Sequence, residues 1–211
     1  MKKKYKFFLI VLIFCLGIGI FYLISLKKNS ILLKSVAEKA PKLAMIAPTL
    51  PVPKIAAAEI VFVPRVIDGD TIVVEPVDAT TGKPGKPETV RYVGMDTPET
   101  VSPVKPVECY GHEASVRNKA LVDGKYVAIV KDVSEHDKYG RLLRFVYPLN
   151  SIAPFSIAST SIDLELVAEG YARVLTIPPD TEYEAQFKAA SVAAKAAKLG
   201  FWGACSSYPF G

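Results

Sequence analysis

Short runs of β-forming residues, separated by turns, fill the stretch from residue 60 to residue 147 and restrict the folds open to this chain. Val, Ile, Thr and Tyr dominate five runs: Ile60–Val66, Thr71–Glu75, Thr89–Gly94, Tyr126–Val130 and Leu142–Tyr147. Three helices are predicted around them: Gly111–Val122, Ser161–Glu169 and Glu182–Leu199. Five short strands with interspersed helices indicate an α+β fold built on a small Greek-key barrel, such as the oligonucleotide-binding barrel.

A hydrophobic segment precedes this domain. Residues 7–26 carry no charge and are flanked by lysines on both sides. Twenty residues rise about 30 Å as a helix, which is enough to cross the hydrocarbon core of a bilayer. The denser lysine cluster lies before the segment and favours an internal N-terminus. We therefore expect a single-pass membrane anchor with the rest of the chain outside the cytoplasm, and a cleaved signal peptide of a secreted protein is the alternative.

The composition divides the chain into four parts. Residues 1–28 form the predicted transmembrane anchor, and residues 29–59 form a linker rich in Ala, Lys and Pro. The predicted globular domain covers residues 60–205, and residues 206–211 form a C-terminal tail. The net charge of +5 belongs to the N-terminal part, because residues 60–211 contain 16 basic and 19 acidic residues. Affinity for a polyanion must then come from a few placed cations and a metal ion.

Two of the three cysteines lie in the predicted domain. Cys15 falls inside the hydrophobic segment, whereas Cys109 and Cys205 lie near the two ends of the helical part of the domain. Outside the cytoplasm these two could form a disulfide. Two separate reduced thiols are the alternative, because a sequence does not show whether the Cα atoms lie within bridging range.

Polar clusters occur where the predicted strands end or turn. They are Asp68-Gly69-Asp70-Thr71, Arg91, Asp96-Thr97-Pro98-Glu99-Thr100 and Asp137-Lys138-Tyr139-Gly140-Arg141. Ends of strands are where a rigid scaffold presents reactive groups. At strand spacing, the guanidinium of Arg91 and the carboxylate of Asp96 could flank one phosphate-sized site. Taken singly, each cluster is more often a turn than a ligand set.

Five separated motifs together resemble the staphylococcal nuclease family. They are VIDGDTIVV, VRYVGMDTPET, ECYGHEAS, DKYGRLLRFVY and LVAEGYARV, which occur in the order and with similar spacing to the family. The resemblance covers about residues 60–203. It implies a five-stranded barrel of the oligonucleotide-binding type with three helices.

The resemblance also implies a calcium site. Asp70, Asp96 and the backbone carbonyl of Thr97 match the metal ligands of the family, and a hard cation prefers such oxygen donors. Bound Ca²⁺ would offset the charge of a scissile phosphate. Asp68 is interpreted as a turn former rather than a ligand.

The same comparison implies the other roles. Glu99 matches the general base, and Arg91 and Arg141 match the pair that binds phosphate oxygens and stabilises transition-state charge. Lys138 and Tyr139 match residues near the terminal phosphate. The implied activity is calcium-dependent hydrolysis of DNA and RNA that leaves 3′-phosphate ends, by a monomer without a protein partner.

One stretch departs from the family pattern. Where the best-known member carries tyrosines that line the nucleotide pocket, this chain reads Leu175-Thr176-Ile177-Pro178. Base stacking and base preference are expected to differ. Two other functions stay open: a catalytically inert nucleic-acid-binding module of the cell envelope, and an envelope scaffold that contacts proteins. Arg144, Arg173 and both histidines, His112 and His136, are expected to be solvated.

Overall fold

The computed structural model describes residues 58–78, 83–100, 106–152 and 155–207. The predicted anchor (residues 7–26) and Cys15 lie outside these ranges, as do almost all of the linker and residues 208–211 of the tail. None of the helices in the described ranges has both the length and the apolar character needed to span a bilayer.

Eight strands and four helices make up the described domain. The strands are β1 (Glu59–Val66), β2 (Thr71–Pro76), β3 (Glu88–Tyr92), β4 (Met95–Asp96), β5 (Tyr126–Val130), β6 (Leu142–Ile152), β7 (Phe155–Ile157) and β8 (Arg173–Val174). The helices are α1 (Gly111–Val122), α2 (Ile162–Ala168), α3 (Glu184–Ala196) and α4 (Phe201–Ala204). The three predicted helices are present, and α4 is a four-residue addition.

Five strands close into a barrel. The order of the main sheet is β3-β2-β1-β5-β6-β7, and a further pairing joins β3 to β6. This closing pairing is parallel and aligns Arg91 with Leu143, whereas the other pairings in the barrel are antiparallel. The strand β7 extends β6 as a hairpin. The closed five-stranded barrel with three helices confirms the predicted architecture.

The barrel closes because its strands present apolar side chains to the inside. Val61, Val63, Ile72, Val74 and Val90 are fully buried, in the alternating pattern of strands with one face in a core. Helix α2 packs against the barrel through its buried apolar residues Ile162, Leu164, Leu166 and Val167. The core therefore lies inside the barrel and under α2.

A two-stranded pair and a disulfide connect segments that lie outside the barrel. Strands β4 and β8 form a separate two-stranded pair, which sets Asp96 opposite Arg173. A disulfide joins Cys109, just before α1, to Cys205, just after α4. The C-terminal end of the described domain is thus covalently attached to the segment that enters α1.

Candidate active site

The turn between β1 and β2 carries Asp70 and buries it. The carboxylate of Asp68 accepts a hydrogen bond from the Asp70 N–H at 3.1 Å, which is the interaction of an Asx turn. One oxygen of Asp70 accepts from the Thr71 hydroxyl at 3.0 Å. The other accepts from the N–H of Thr97 at 2.9 Å and from its hydroxyl at 3.1 Å. Asp70 therefore joins this turn to the segment that follows β4.

Gly69 permits this close approach. A Cβ atom at Gly69 would lie 2.6 Å from the Thr97 hydroxyl oxygen, closer than real Cβ atoms come to their neighbours. The DGD sequence is thus explained by packing as well as by the turn, because a larger residue would push the two segments apart.

Arg91 on β3 connects the two predicted calcium ligands. Its Nη1 lies 2.7 Å from the Asp70 carboxylate, and its Nη2 lies 2.7 Å from the Asp96 carboxylate. Nη1 also donates to the carbonyl of Met95 at 3.3 Å. A planar fork with several donors can engage both carboxylates at once. The structure therefore places Asp70 and Asp96 around a single guanidinium.

Arg173 contacts Asp96 from the other side. Its Nε and Nη2 lie 3.0 and 2.9 Å from the Asp96 Oδ2 atom. The expectation that Arg173 is solvated is wrong, because the β4–β8 pairing sets it opposite Asp96. Both oxygens of Asp96 accordingly face arginines. The residues lie 77 positions apart, so only the tertiary pairing could reveal this contact.

Arg144 is a second correction. It was expected to be solvated, yet it is 8% exposed. Its guanidinium pairs with the carboxylate of Glu135 and donates to the carbonyls of Glu135 and Leu143. The Arg144 side chain and its hydrogen bond lower the pKa of Glu135 to about 2. Arg144 therefore fixes the loop between β5 and β6 to the barrel.

That loop presents Arg141. The Nε of Arg141 donates to the Asp137 carboxylate at 2.6 Å. Burial opposes ionisation of Asp137, but hydrogen bonds from the backbone and side chain of Arg141 outweigh it and lower the pKa of Asp137. Among the described residues, no hydrogen bond or ion pair engages the two Nη atoms of Arg141. Asp137 thus orients a guanidinium whose amino groups can bind an anion.

Lys138 and Tyr139 lie at the tip of the same loop. Tyr139 is 73% exposed. The Lys138 Nζ and the Arg141 Cζ lie 5.0 and 5.5 Å from the centroid of its ring, within the range of a cation–π contact. The loop therefore offers two cations around one exposed aromatic ring.

Glu99 follows the DTP turn. Its carboxylate accepts a hydrogen bond from the Thr100 N–H at 2.9 Å. Its own N–H donates to the Glu108 carboxylate at 2.8 Å. Glu108, the first residue of the ECYGHEAS motif, therefore contacts Glu99, and the motif alone does not predict this contact.

The predicted residues converge on one cavity. It has a volume of about 280 Å³, and its lining residues are Asp68, Asp70, Arg91, Asp96, Thr97, Pro98, Glu99, Tyr139 and Arg141. All the predicted catalytic residues and the three predicted metal ligands are in this set. Lys138 lies outside it and lines an adjoining cavity of about 520 Å³ with Tyr139, Arg141, His136 and the aliphatic residues Leu175, Ile177 and Pro178. This part of the wall is aliphatic, in agreement with the sequence, which has Leu175-Thr176-Ile177-Pro178 in place of the tyrosines of the best-known family member.

Negative charge in the smaller cavity is incompletely compensated. Burial, followed by the charge of Asp70, raises the pKa of Asp96, although Arg91 and Arg173 act in the opposite direction. Burial and the charge of Asp70 also raise the pKa of Asp68 to about 7. A cation placed beside these carboxyl groups would act against both shifts and favour the ionised forms.

The donor set fits a hard cation. It consists of carboxylate and carbonyl oxygens without sulfur or imidazole, which suits Ca²⁺ or Mg²⁺. Nowhere in the described ranges do three or more His, Cys, Asp or Glu side chains group closely enough to hold a metal ion by themselves. A cation here would accordingly have two protein carboxylates and would complete its shell with other oxygens. The contact of Arg91 with both carboxylates shows that they are close enough to share one positive charge.

Comparisons with known proteins agree with this site. The family model described as staphylococcal nuclease homologue matches residues 89–204, more than half of the chain. The endonuclease YncB of Bacillus subtilis (strain 168) is 41% identical over 140 residues, which cover 65% of this chain and 59% of that protein. The thermonuclease of Staphylococcus intermedius is 36% identical over 141 residues, covering 67% of this chain and 74% of that protein. The thermonuclease of Staphylococcus hyicus is 36% identical over 138 residues, covering 65% and 72%.

The matched part thus spans about three-fifths of YncB and about three-quarters of the Staphylococcus intermedius thermonuclease. The family match contains β3, Glu99 and Arg141 as well as α1 to α3. The sequence motifs, the closed barrel and these matches together show that the chain belongs to the staphylococcal nuclease family.

Proposed function

We propose that this protein is a calcium-dependent nuclease that hydrolyses phosphodiester bonds of DNA and RNA and leaves 3′-phosphate ends. The observation that carries the proposal is the single cavity lined by three acidic residues, Asp70, Asp96 and Glu99, and by two arginines, Arg91 and Arg141. Phosphodiester hydrolysis needs this combination: a base for the attacking water, cations for the phosphate oxygens, and compensation of the charge that develops at phosphorus.

The calcium ion would be held by Asp70, Asp96 and the carbonyl of Thr97. When bound, it supplies a Lewis acid that polarises the phosphate and offsets its charge. Arg91 bridges the two carboxylates. The arginine thereby keeps the two ligands near each other and so limits the rearrangement that calcium binding requires.

The two arginines have separable tasks. Arg91 is held by the proposed metal ligands Asp70 and Asp96. It would therefore contact a phosphate from the side of the metal ion. Arg141 is held through its Nε by Asp137 and lies over the Tyr139 ring, and both of its amino groups are proposed to bind phosphate oxygens from the loop side. Such charge-assisted hydrogen bonds strengthen as charge accumulates on the oxygens during attack.

Glu99 is the candidate general base. It lines the same cavity as both arginines, so a water molecule in this space lies between a carboxylate and an arginine-bound phosphate. Glu99 would take a proton from this water as the water oxygen bonds to phosphorus, the P–O5′ bond would break, and the 5′ oxygen would take up a proton from solvent.

Lys138 and Tyr139 are proposed to contact the terminal phosphate and adjacent sugar at the mouth of the cavity. The adjoining wall of Leu175, Ile177 and Pro178 offers apolar contact instead of an aromatic stack. We expect weaker binding of single nucleotides than an aromatic pocket gives.

We further propose that the enzyme acts outside the cytoplasm, as a monomer held to the cell membrane by residues 7–26 or, if that segment is cleaved, as a secreted protein. The hydrophobic segment and the cysteine pair in the domain support this location, since disulfides persist in oxidising compartments. Mass spectrometry of the mature N-terminus separates the anchored form from the secreted form.

The test is digestion of plasmid DNA and of RNA by the full chain purified in detergent, with calcium or with a chelator. We expect cleavage only with calcium, and products that a polymerase extends only after phosphatase has removed the 3′-phosphate. Glu99→Gln and Arg141→Ala should each reduce turnover about 10²-fold or more while the barrel stays folded. Glu113→Gln and Lys119→Ala, which change exposed residues of α1, are the matched controls.

Each outcome has one interpretation. Calcium-independent binding of DNA without cleavage would support the inert binding module. Neither binding nor cleavage by folded protein would support the envelope scaffold. Turnover like that of the unsubstituted enzyme in Glu99→Gln or Arg141→Ala would remove the role given to that residue.

A further inference from the structure

Glu99 is held by a residue to which the proposed chemistry gives no role. The N–H of Glu99 donates to the Glu108 carboxylate at 2.8 Å, and the N–H of Glu108 donates to the Glu99 carbonyl at 2.9 Å. The two residues are nine positions apart in the chain. Their reciprocal hydrogen bonds join the end of the active-site turn to the segment that enters α1.

The N-terminus of α1 packs against Glu99 and Glu108. The Gly111 N–H donates to the Glu108 carbonyl at 3.1 Å. A Cβ atom at Gly111 would lie 2.8 Å from the Glu99 carbonyl oxygen and 3.0 Å from that of Pro98. The turn therefore rests directly on the first residue of the helix, which leaves little room for its backbone to shift.

A covalent bond fixes the other side of Glu108. The adjacent residue, Cys109, is bonded to Cys205 at the end of α4. Glu108 thus directly precedes a disulfide-bonded cysteine, and its carbonyl accepts a hydrogen bond from the first residue of α1. Because the chain around Glu108 is constrained in this way, its carboxylate can hold the Glu99 N–H in a defined position.

The backbone of Glu99 controls its carboxylate. That carboxylate accepts a hydrogen bond from the N–H of the next residue, Thr100, so its orientation follows the local main chain. A shift of the Glu99 N–H toward water would carry the carboxylate with it. Misplacement of a reacting group by about 1 Å reduces rates by about 10²-fold.

We propose that Glu108 is a positioning residue for the general base, and that it acts on turnover through its hydrogen bond to the Glu99 N–H. The inference rests on the proposed nuclease function. Glu108 is absent from the lining of the catalytic cavity, so it is assigned no contact with substrate or metal. Its loss should change turnover and leave affinity for calcium and DNA intact.

The experiment measures kcat, KM for DNA and calcium affinity by titration calorimetry on the full chain in detergent. Glu108→Ala should lower kcat by about 10- to 10²-fold, with KM and calcium affinity within about twofold. Glu108→Gln retains an acceptor for the Glu99 N–H and should recover kcat to within about threefold. Glu113→Ala, an exposed glutamate of α1, is the matched control.

Glu108→Asp provides a second probe if the alanine variant does not fold. It keeps the charge but withdraws the acceptor by one methylene, and we expect kcat to fall. A kcat unchanged by both Glu108→Ala and Glu108→Asp overturns the proposal. Equal losses in the glutamine and alanine variants also overturn it, because the hydrogen bond would then be irrelevant.

A double-mutant cycle separates action through Glu99 from a general structural effect. In the Glu99→Gln background, Glu108→Ala should cause almost no further loss of kcat, because the base that it positions is already absent. Full additivity would refute the inference. If Glu99→Gln alone is fully active, the proposed role of Glu99 fails, and if Glu99→Gln is impaired while Glu108→Ala is active, only the present inference fails.

Discussion

The buried carboxyl group of Asp163 offers a quantitative test of how burial of a titratable group changes the free energy of unfolding. It is fully buried at the start of α2, and one carboxylate oxygen accepts a hydrogen bond from the Val146 N–H at 2.8 Å. Burial is the largest influence and raises the pKa of Asp163 from 3.8 to about 7, although hydrogen bonds from the backbone of Val146, Asp163 and Val93 and from the Ser161 side chain act against the rise. The folded protein therefore holds a proton that the unfolded chain releases near pH 4.

The sign of the pH dependence follows from this proton. Between pH 4 and pH 7 the folded state binds more protons at this site than the unfolded state, so its contribution to the free energy of unfolding falls as pH rises. A rise in pKa from 3.8 to about 7 corresponds to about 4 kcal/mol at 1.36 kcal/mol per pH unit, which is an upper bound. The contribution of this proton to the free energy of unfolding is fully present below pH 4 and is lost above pH 7.

The variant Asp163→Asn removes the titration and keeps an acceptor for the Val146 N–H. Its free energy of unfolding should exceed that of the unsubstituted protein by about 2–4 kcal/mol at pH 8, and the excess should shrink toward zero at pH 4. Urea unfolding at pH 4, 6 and 8 measures this, and subtracting the two proteins cancels all other titrations. An excess that does not vary with pH, or that grows toward acid, would refute the reasoning.

Two further predictions follow from other contacts. Removal of the Cys109–Cys205 disulfide by Cys→Ser substitution at both positions should lower the free energy of unfolding by about 4–5 kcal/mol, because the bond closes a loop of 96 residues; equal melting temperatures with and without the bond would contradict this. Arg173→Gln should tighten calcium binding by about three- to tenfold in calorimetry, because it removes a cation that shares the Asp96 carboxylate; unchanged or weaker binding would show that Arg173 does not compete with the metal.

Local pattern was enough to predict much of the fold. The helix α1 and the strand β5 have the predicted bounds, because a glycine on either side of the helix and a run of β-forming residues mark them clearly. Strand β6 continues to Ile152, five residues beyond its predicted end. Pro148 lies within the extended part and pairs with Val127, although a proline has no N–H to donate to the ladder.

The sequence did not predict the two shortest strands, β4 and β8. Strands β4 and β8 have two residues each, which is too short for any periodic signal. Their pairing nevertheless brings Arg173 to Asp96 and makes this arginine part of the site. The helix α1 shows a related limit, since Val116 is 51% exposed although it is apolar, while Asn118 is fully buried.

The positions of the candidate catalytic residues within the chain were predictable, but the contacts that hold them were not. Motif agreement placed Asp70, Asp96, Glu99, Arg91 and Arg141 in one site, and the structure brings all five to one cavity. The contacts of Glu108 and Asp137 depend on loop conformation, which a motif does not describe. Asn118 is a similar case, since it accepts from the Tyr92 hydroxyl and donates to the Asp68 carbonyl from inside the core.

The parallel pairing of β3 with β6 has an implication for when the protein can be active. Arg91 lies on β3, and Arg141 immediately precedes β6, so the two guanidiniums meet only after residues about fifty positions apart have paired. A chain that has not yet joined these strands holds the acidic groups without the second arginine. Assembly of the candidate site and completion of the cylinder therefore coincide, and a chain in which β3 and β6 have not yet paired does not contain the complete set of charged groups.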